Sequence, residues 1–247
     1  MPDTMPTAAS RANIVDLIAA ARERGDAALS EPDSKALLRE IGIPVPAGQV
    51  VASPAAAAEA ATAIGFPVVV KAVSPALTHK TDAGGIVFPV ATPADAAVAC
   101  ALITERVART HPNIPLRGFL IEAFHPAKLE WILSLRMDAQ FGPLIMFGLG
   151  GIFVELFEQV AFRLAPLSEV DIDTLLADRM VTRALSGLRG DPPADREGVA
   201  AAIRALSALC SREDIAANIA EIEINPLIAT ARGVVALDAL VLLHPGS

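Results

Sequence analysis

The sequence predicts an α/β protein of two lobes, and three observations carry that reading. Helical apolar spacing alternates with short β-branched runs from one end of the 247 residues to the other. A proline-punctuated break, His111-Pro112-Asn113-Ile114-Pro115, interrupts the pattern near the middle. Hydrophobic residues make up 53% of the chain, enough to fill a substantial core in each half.

The elements follow in order. Asn13 to Arg24 has helical spacing and stops before Gly25. Asp33-Ser34 is expected to cap a helix through Ile41, which Gly42 and Pro44 end. Gln49–Ala52 reads as a strand. Ser53-Pro54 and Thr92-Pro93 each place a hydroxyl N-cap before a proline at the first helical position, ahead of alanine-rich runs. Pro67–Val73 and Ile86–Val90 are strands between those helices. After the break come strands Gly118–Phe124, Leu129–Arg136, Leu144–Phe147 and Phe162–Ala165. Helices over Ser168 to Ala184 and Ala194 to Ser211 follow, then strands Glu221–Ile228 and Val234–Leu240. Residues 1–30 are read as a tail and helix, 31–117 as the smaller lobe and 118–247 as the larger. The lobes are expected to meet near Gly118–Glu122, a common position for a cleft.

Composition narrows the function. A net charge of −8 with no basic excess argues against a nucleic-acid partner. The most apolar stretch, Gly142 to Phe157, is too short and glycine-broken to span a bilayer, and MPDTMPTAASRANIVDL lacks the apolar core of a signal peptide. The two cysteines, Cys100 and Cys210, form no CxxC pair, which suits a reducing compartment. A cytoplasmic protein without a membrane partner is expected.

Chemistry concentrates in SPALTHKTDAGGI, Ser74 to Ile86, just after the strand ending at Val73. Lys71 interrupts that apolar strand, where an unpaired ammonium is costly. It either snorkels from the strand end or meets nucleotide phosphates in a cleft. The loop around Gly84 and Gly85 is either an ordinary hairpin or a backbone cover over those phosphates. Near the far end, Glu221-Ile222-Glu223-Ile224-Asn225-Pro226 precedes Asp238, which sits in an apolar run. Two antiparallel strands there would collect hard oxygens for Mg²⁺, whereas solvent-facing alternation accounts for Glu221 but less well for Asp238. No P-loop, GxSxG, HExxH or kinase catalytic pattern occurs, and Phe153 spoils the dinucleotide fingerprint begun at Gly148.

The stretches SKALLREIGIPVP, GFPVVVKAVSPALTHKTDAGGI, QFGPLIMFGLGGIFVE, FRLAP, GLRGDPPAD and EIEINPL form an ordered series over roughly residues 13 to 241. In that series the chain resembles the β subunit, or ATP-grasp part, of ADP-forming acyl-CoA synthetases, relatives of succinyl-CoA synthetase. The resemblance implies an ATP-grasp fold, two α/β lobes whose antiparallel sheets clasp the nucleotide. It implies ATP or ADP and Mg²⁺ as cofactors. Lys71 would hold the phosphates, with the loop of Thr81, Gly84 and Gly85 over them. Backbone near Glu122 would read adenine, and Glu130 would lie near the ribose. Gly148, Gly150 and Gly151 match the glycine loop of the larger lobe, and Glu155 and Arg163 fall in motifs that face the site. Asn225 and Asp238 match the metal pair, with Glu223 close by.

His79 matches the histidine that takes the phosphoryl group on its passage between subunits in this family. A neutral imidazole is a competent nucleophile near pH 7. His111, His125 and His244 are read as surface histidines. The family reaction interconverts acyl-CoA, ADP and phosphate with acid, CoA and ATP. Its CoA-binding and ligase domains have no counterpart here, so an α subunit or a fused part is the expected partner, in a hetero-oligomer that brings CoA and the acyl substrate. Three departures stand out: Glu223 where the family usually has Asp, no glycine in the hinge turn His125–Glu130, and Met137 and Ala139 in place of frequent Arg and Pro. A stand-alone ATP-grasp carboxylate–amine ligase and a non-catalytic ATP-binding regulatory module are the alternatives. The HKTD motif argues against the first and the complete set of nucleotide residues against the second.

Overall fold

The computed structural model describes residues 14–77, 80–126, 129–151, 160–187 and 190–245. Helices α1 (Ile14–Glu23) and α2 (Glu31–Glu40) lead into β1 (Gly48–Val51), α3 (Pro54–Ile64), β2 (Val68–Val73), β3 (Ile86–Val90), α4 (Pro93–Thr110) and β4 (Gly118–Ala123). Next come β5 (Glu130–Asp138), β6 (Gly142–Leu149), β7 (Val160–Leu164), α5 (Glu169–Leu176), α6 (Arg179–Leu185) and α7 (Arg196–Ala208). A 3₁₀ turn (Leu209–Ser211), α8 (Glu213–Ala216), β8 (Ile219–Thr230), β9 (Gly233–Ala236) and β10 (Ala239–Leu243) complete the order.

Cap chemistry sets several helix starts. Ser53 and Thr92 accept the N–H groups of Ala56 and Asp95, as their Ser-Pro and Thr-Pro pairs predict. Helix α2 begins earlier than expected, because Ser30 accepts from the Asp33 N–H and Pro32 fits the first turn. The expected helix from Ser168 to Ala184 is two helices, since Asp178 caps a new start by accepting from Met180 and Val181. Helix α8 is too short to show an apolar period.

Two antiparallel sheets organise the described residues. The smaller runs β1-β4-β2-β3, and the larger β10-β8-β5-β6-β7 with β9 paired to β8. Helices α3 and α4 cover one face of the smaller sheet, packing Ala57, Ala61, Ile103 and Val107 on Val68, Val70 and Ile121. In the larger core Trp131 stacks on Phe147 at 5.2 Å beside Leu133, Ile222 and Ile224.

The division differs from the expected boundaries at 31 and 118. β4 is an inner strand of the smaller sheet, and Leu37, Leu38 and Ile43 pack in the larger core with Trp131. The covered face of the smaller sheet is already filled by α3 and α4, so α2 buries its apolar side against the other lobe. Leu29 donates to the Val241 carbonyl and Leu243 to the Ala27 carbonyl, each at 2.9 Å, tying this segment to the β10 edge. Arg117, entering β4, clasps Asp26 with two hydrogen bonds of 2.8 and 2.7 Å. Among the described residues no helix is long and apolar enough to cross a membrane.

Candidate functional site

Strand alternation aims the key side chains. Val68, Val70 and Ala72 of β2 face the helices, so Lys71 points to the opposite face. On β4, Ile121 faces the helices and Glu122 therefore shares the face of Lys71; Glu122 pairs with Val69 in the register. Gly48 lies directly across from Glu122, and a Cβ there would come within 2.8 Å of the Glu122 Cγ, so the glycine leaves room for that side chain. A cleft of about 700 Å³ opens between the sheets. Lys71, Lys80 and Phe88 line it from the smaller lobe, Phe124 and His125 from the connection, and Glu130, Glu223, Asn225 and Asp238 from the larger lobe. Phe88 and Phe124 stack with centroids 6.0 Å apart, giving one wall a flat aromatic surface.

At the back of the cleft lies a buried ionic cluster. Lys71 Nζ meets Glu31 Oε1 at 2.6 Å, Glu122 Oε2 at 3.0 Å and the Leu237 carbonyl at 2.6 Å. Lys35 Nζ meets Glu31 at 2.7 Å and Glu122 at 2.6 Å. Lys80 Nζ reaches Glu31 Oε2 at 3.2 Å and Asp238 Oδ1 at 3.4 Å. Burial alone would push Glu31 up, but Lys71, Lys35 and Lys80 outweigh it and hold the carboxyl well below its usual range. Burial opposes the charge on Lys71, and Glu31, Glu122 and Asp238 overcome that, so its ammonium is held more tightly than usual. For Asp238 burial and then the nearby Glu31 win, raising its carboxyl despite the lysines.

Asn225 and Asp238 come together where the ladder breaks. Trp131 pairs with Leu227 but Leu133 with Ile224, so β8 carries one extra residue at Asn225-Pro226. Opposite this bulge the expected strand Val234–Leu240 splits into β9 and β10, with Leu237 and Asp238 between them. The Asn225 N–H donates to the Asp238 carbonyl at 3.3 Å, and the Asn225 amide reaches Glu223 Oε1 at 3.4 Å. Among the described residues no three His, Cys, Asp or Glu side chains form a metal cage. One carboxylate, an amide oxygen and a neighbouring glutamate suit Mg²⁺, which takes few protein ligands and completes its octahedron with water and phosphate oxygens. The donor set therefore fits that ion.

Of the residues singled out by sequence, Lys71, Thr81, Glu122, Glu130, Gly151, Glu223, Asn225 and Asp238 line this one cleft. Gly151 has φ +62°, and a Cβ there would lie 2.6 Å from Glu130 Oε2. The Gly150 N–H donates to the Glu130 carbonyl at 2.6 Å, which anchors Glu130 at the cleft mouth. Gly148 sits within β6, paired with Ile132 and Val160, and does not reach the cleft lining. Arg163 pairs with the core residue Ile145 and so shares the helix-covered face, near Asp171, whose carboxyl is lowered mainly by hydrogen bonds from Ser168 and a little by Arg163; it does not line the cleft. The expected phosphate cover also differs: the Gly84 N–H donates to the Thr81 carbonyl at 3.1 Å and the Gly85 N–H to the Lys80 carbonyl at 2.7 Å. These two donors close the loop's own turn. His79 and Glu155 lie outside the described residues. Glu31, Lys35, Lys80 and His125 belong to the site without having been singled out for it. The Glu31–Lys35 spacing of four was the one available sign, and it reads equally as a surface helix pair.

A family model described as an ATP-grasp domain matches residues 20–243. The chain is 36% identical over 235 residues to the acetate–CoA ligase (ADP-forming) I subunit beta of Pyrococcus furiosus, covering 93% of this chain and 100% of that one. It is 32% identical over 205 residues to the 4-hydroxybutyrate–CoA ligase (ADP-forming) of Nitrosopumilus maritimus, covering 83% of this chain but 29% of that longer one. Among solved structures, dinucleotide forming acetyl-coenzyme A synthetase 1 of Ca. Korarchaeum cryptofilum, in complex with coenzyme A, Ca-AMPCP and HgCl+, superposes with a TM-score of 0.88. That match has 38% identity and covers 94% of this chain and 100% of the other.

Proposed function

The chain belongs to the ATP-grasp domain family, and on that premise we propose that it is the nucleotide-binding β part of an ADP-forming acyl-CoA synthetase. One observation carries the reading: ammonium groups of the smaller lobe face the Asn225 and Asp238 oxygens of the larger lobe across a single cleft. Cationic donors opposite hard oxygen ligands are what a nucleotide polyphosphate with its divalent ion requires. Asn225 and Asp238, with Glu223, would hold Mg²⁺, which when bound offsets charge on the transferring phosphoryl group. The stacked Phe88 and Phe124 offer an apolar face to a purine. Lys71 and Lys80 orient the phosphates and stabilise charge on them.

The overall reaction is acyl-CoA + ADP + phosphate ⇌ acid + CoA + ATP. Phosphate first displaces CoA to give an acyl phosphate on the partner part. The phosphoryl group then passes through histidine to ADP, and we assign His79 as the acceptor on this chain from its place in the HKTD motif. Acyl-group and CoA recognition belong to that partner, an α subunit or a fused domain. The relatives this chain resembles include both a separate subunit beta and a longer single chain.

The test is reconstitution of this chain with its α part, acyl-CoA, phosphate, ADP and Mg²⁺. ATP should form, and only with both parts present. ATP-dependent joining of an acid to an amine by this chain alone would overturn the reading in favour of the stand-alone ligase.

A further inference from the structure

The three lysines of the cleft cluster are not held alike. An ammonium has three N–H donors. Lys71 donates to Glu31 and to the Leu237 carbonyl at 2.6 Å each and pairs with Glu122 at 3.0 Å, and Lys35 is enclosed between Glu31 and Glu122 at 2.6 to 2.7 Å. Among the described residues Lys80 has a 3.2 Å contact with Glu31 and a 3.4 Å contact with Asp238, both longer than a usual charge-assisted hydrogen bond. It is also the lysine that touches Asp238, the carboxylate assigned to the divalent ion. With Glu31, Glu122 and Asp238 ionised, three acids balance three lysines within the cluster, while Glu130 and Glu223 add further negative charge to the cleft lining.

Building on the nucleotide reading above, we propose that Lys80 is a tethered counter-cation that pairs with Asp238 until a divalent ion takes that carboxylate, and then turns to the nucleotide phosphates. Asp238 is partly buried beside Glu31, its Oδ1 accepts the Ala239 N–H at 2.8 Å, and Lys80 is the lysine in direct contact with it, with Lys71 and Lys35 acting from farther away. A divalent ion on Asp238 and an ammonium 3.4 Å from its Oδ1 repel each other, which favours departure of the ammonium. Lys80 leaves most easily, since it gives up two long contacts where Lys71 would break three short ones. Its backbone stays fixed, because its carbonyl accepts the Gly85 N–H at 2.7 Å. Only the flexible four-carbon stem has to swing. An incoming polyphosphate brings the negative charge that the displaced ammonium then neutralises.

Two measurements test this. Lys80→Gln should bind Mn²⁺, without nucleotide, about tenfold more tightly than the unaltered chain, because the competing ammonium is gone, while its Mg-ATP affinity falls about tenfold. Lys80→Arg should recover much of the Mg-ATP affinity. The Mn²⁺ gain should vanish when Asp238→Asn is added. The ammonium in contact with Asp238 opposes a metal there, so equal or weaker Mn²⁺ affinity in Lys80→Gln overturns the proposal. On the unaltered chain, amine acetylation mapped by mass spectrometry should rise at Lys80 with Mg²⁺ alone and fall with Mg-ATP. Labelling that is the same in the empty, Mg²⁺ and Mg-ATP states overturns it as well. If the unaltered chain binds no Mg-ATP, the nucleotide reading itself fails and takes the proposal with it; bound Mg-ATP with unchanged Mn²⁺ affinity removes the Lys80 role alone.

Discussion

Glu31 and Lys71 meet at 2.6 Å across forty residues of sequence, joining a helix packed in the larger lobe to a strand of the smaller one. The contact does two things. It ties the lobes at the floor of the cleft, and it places a buried negative charge under the lysine that faces the phosphate region. Glu31 is shared with Lys35 and Lys80, so its loss strips a partner from three cations together.

Glu31→Gln should therefore destabilise the chain by about 3–5 kcal/mol, the usual consequence of removing one member of a buried ionic group. Urea unfolding of both proteins measures it. A change within the few tenths expected of a surface site would mean that the cluster contributes little to folding.

The same cluster sets a pH dependence. The folded-state pKa of Glu31 is depressed, so its contribution is complete above the ordinary value of 4.5 and is lost as pH falls through the lower folded value. Lys71 is raised above 10.5, so its contribution is complete below that value and is lost only in stronger alkali. Stability should stay level through the neutral range as far as these two groups set it. It should decline below pH 4.5, and Glu31→Gln should show a shallower acid limb. Identical acid limbs in the two proteins would detach Glu31 from the effect.

Asp238 has the opposite sign. Its carboxyl is raised, first by burial and then by Glu31, so its ionised form is disfavoured in the fold and stability is lost as pH rises from 3.8 through the folded value. Asp238→Asn should keep or raise the melting temperature at pH 8. Mg²⁺-dependent nucleotide binding should fall by roughly tenfold or more, since Mg²⁺ prefers an anionic oxygen. Calorimetric titration with Mg-ATP beside a thermal melt separates the two effects. An unaltered titration would make Asp238 a plain inter-strand residue.

Much of this site was legible because it breaks local rules. Lys71 and Asp238 are charges in apolar runs, and Asn225 precedes a proline in the middle of a strand; each anomaly lies on the cleft. Glu31 and Lys35 obey every local rule. Their text, Glu31-Pro32-Asp33-Ser34-Lys35, suits an ordinary first helical turn, and only the seating of α2 with its apolar side on the larger core turns Glu31 and Lys35 toward Lys71 and Glu122 of the smaller lobe. The lobe boundary was misplaced for the same reason, since no local pattern says which core an amphipathic helix will choose. The split of Val234–Leu240 follows from the bulge on β8, a pairing partner that strand propensity does not see. Gly84 and Gly85 were read for what glycine permits, whereas their N–H groups close the turn itself.

The reaction type turns on His79. Binding of Mg-ATP depends on the lysines, the aromatic wall and the Asn225–Asp238 pair, while transfer alone needs a nucleophile. His79→Ala should thus bind Mg-ATP with affinity close to that of the unaltered chain and yet form no ATP from acyl-CoA, phosphate and ADP when the α part is present. A phosphohistidine is labile in acid and stable in base, unlike a phosphoserine. Incubation of the complete enzyme with γ-labelled ATP should leave label that survives alkali, disappears in acid and maps to the peptide holding His79. Full turnover by His79→Ala, or label confined to a hydroxyl residue, would overturn the phosphohistidine route. Loss of Mg-ATP binding together with turnover would instead make His79 part of the binding surface, and its assignment as the phosphoryl acceptor would fall.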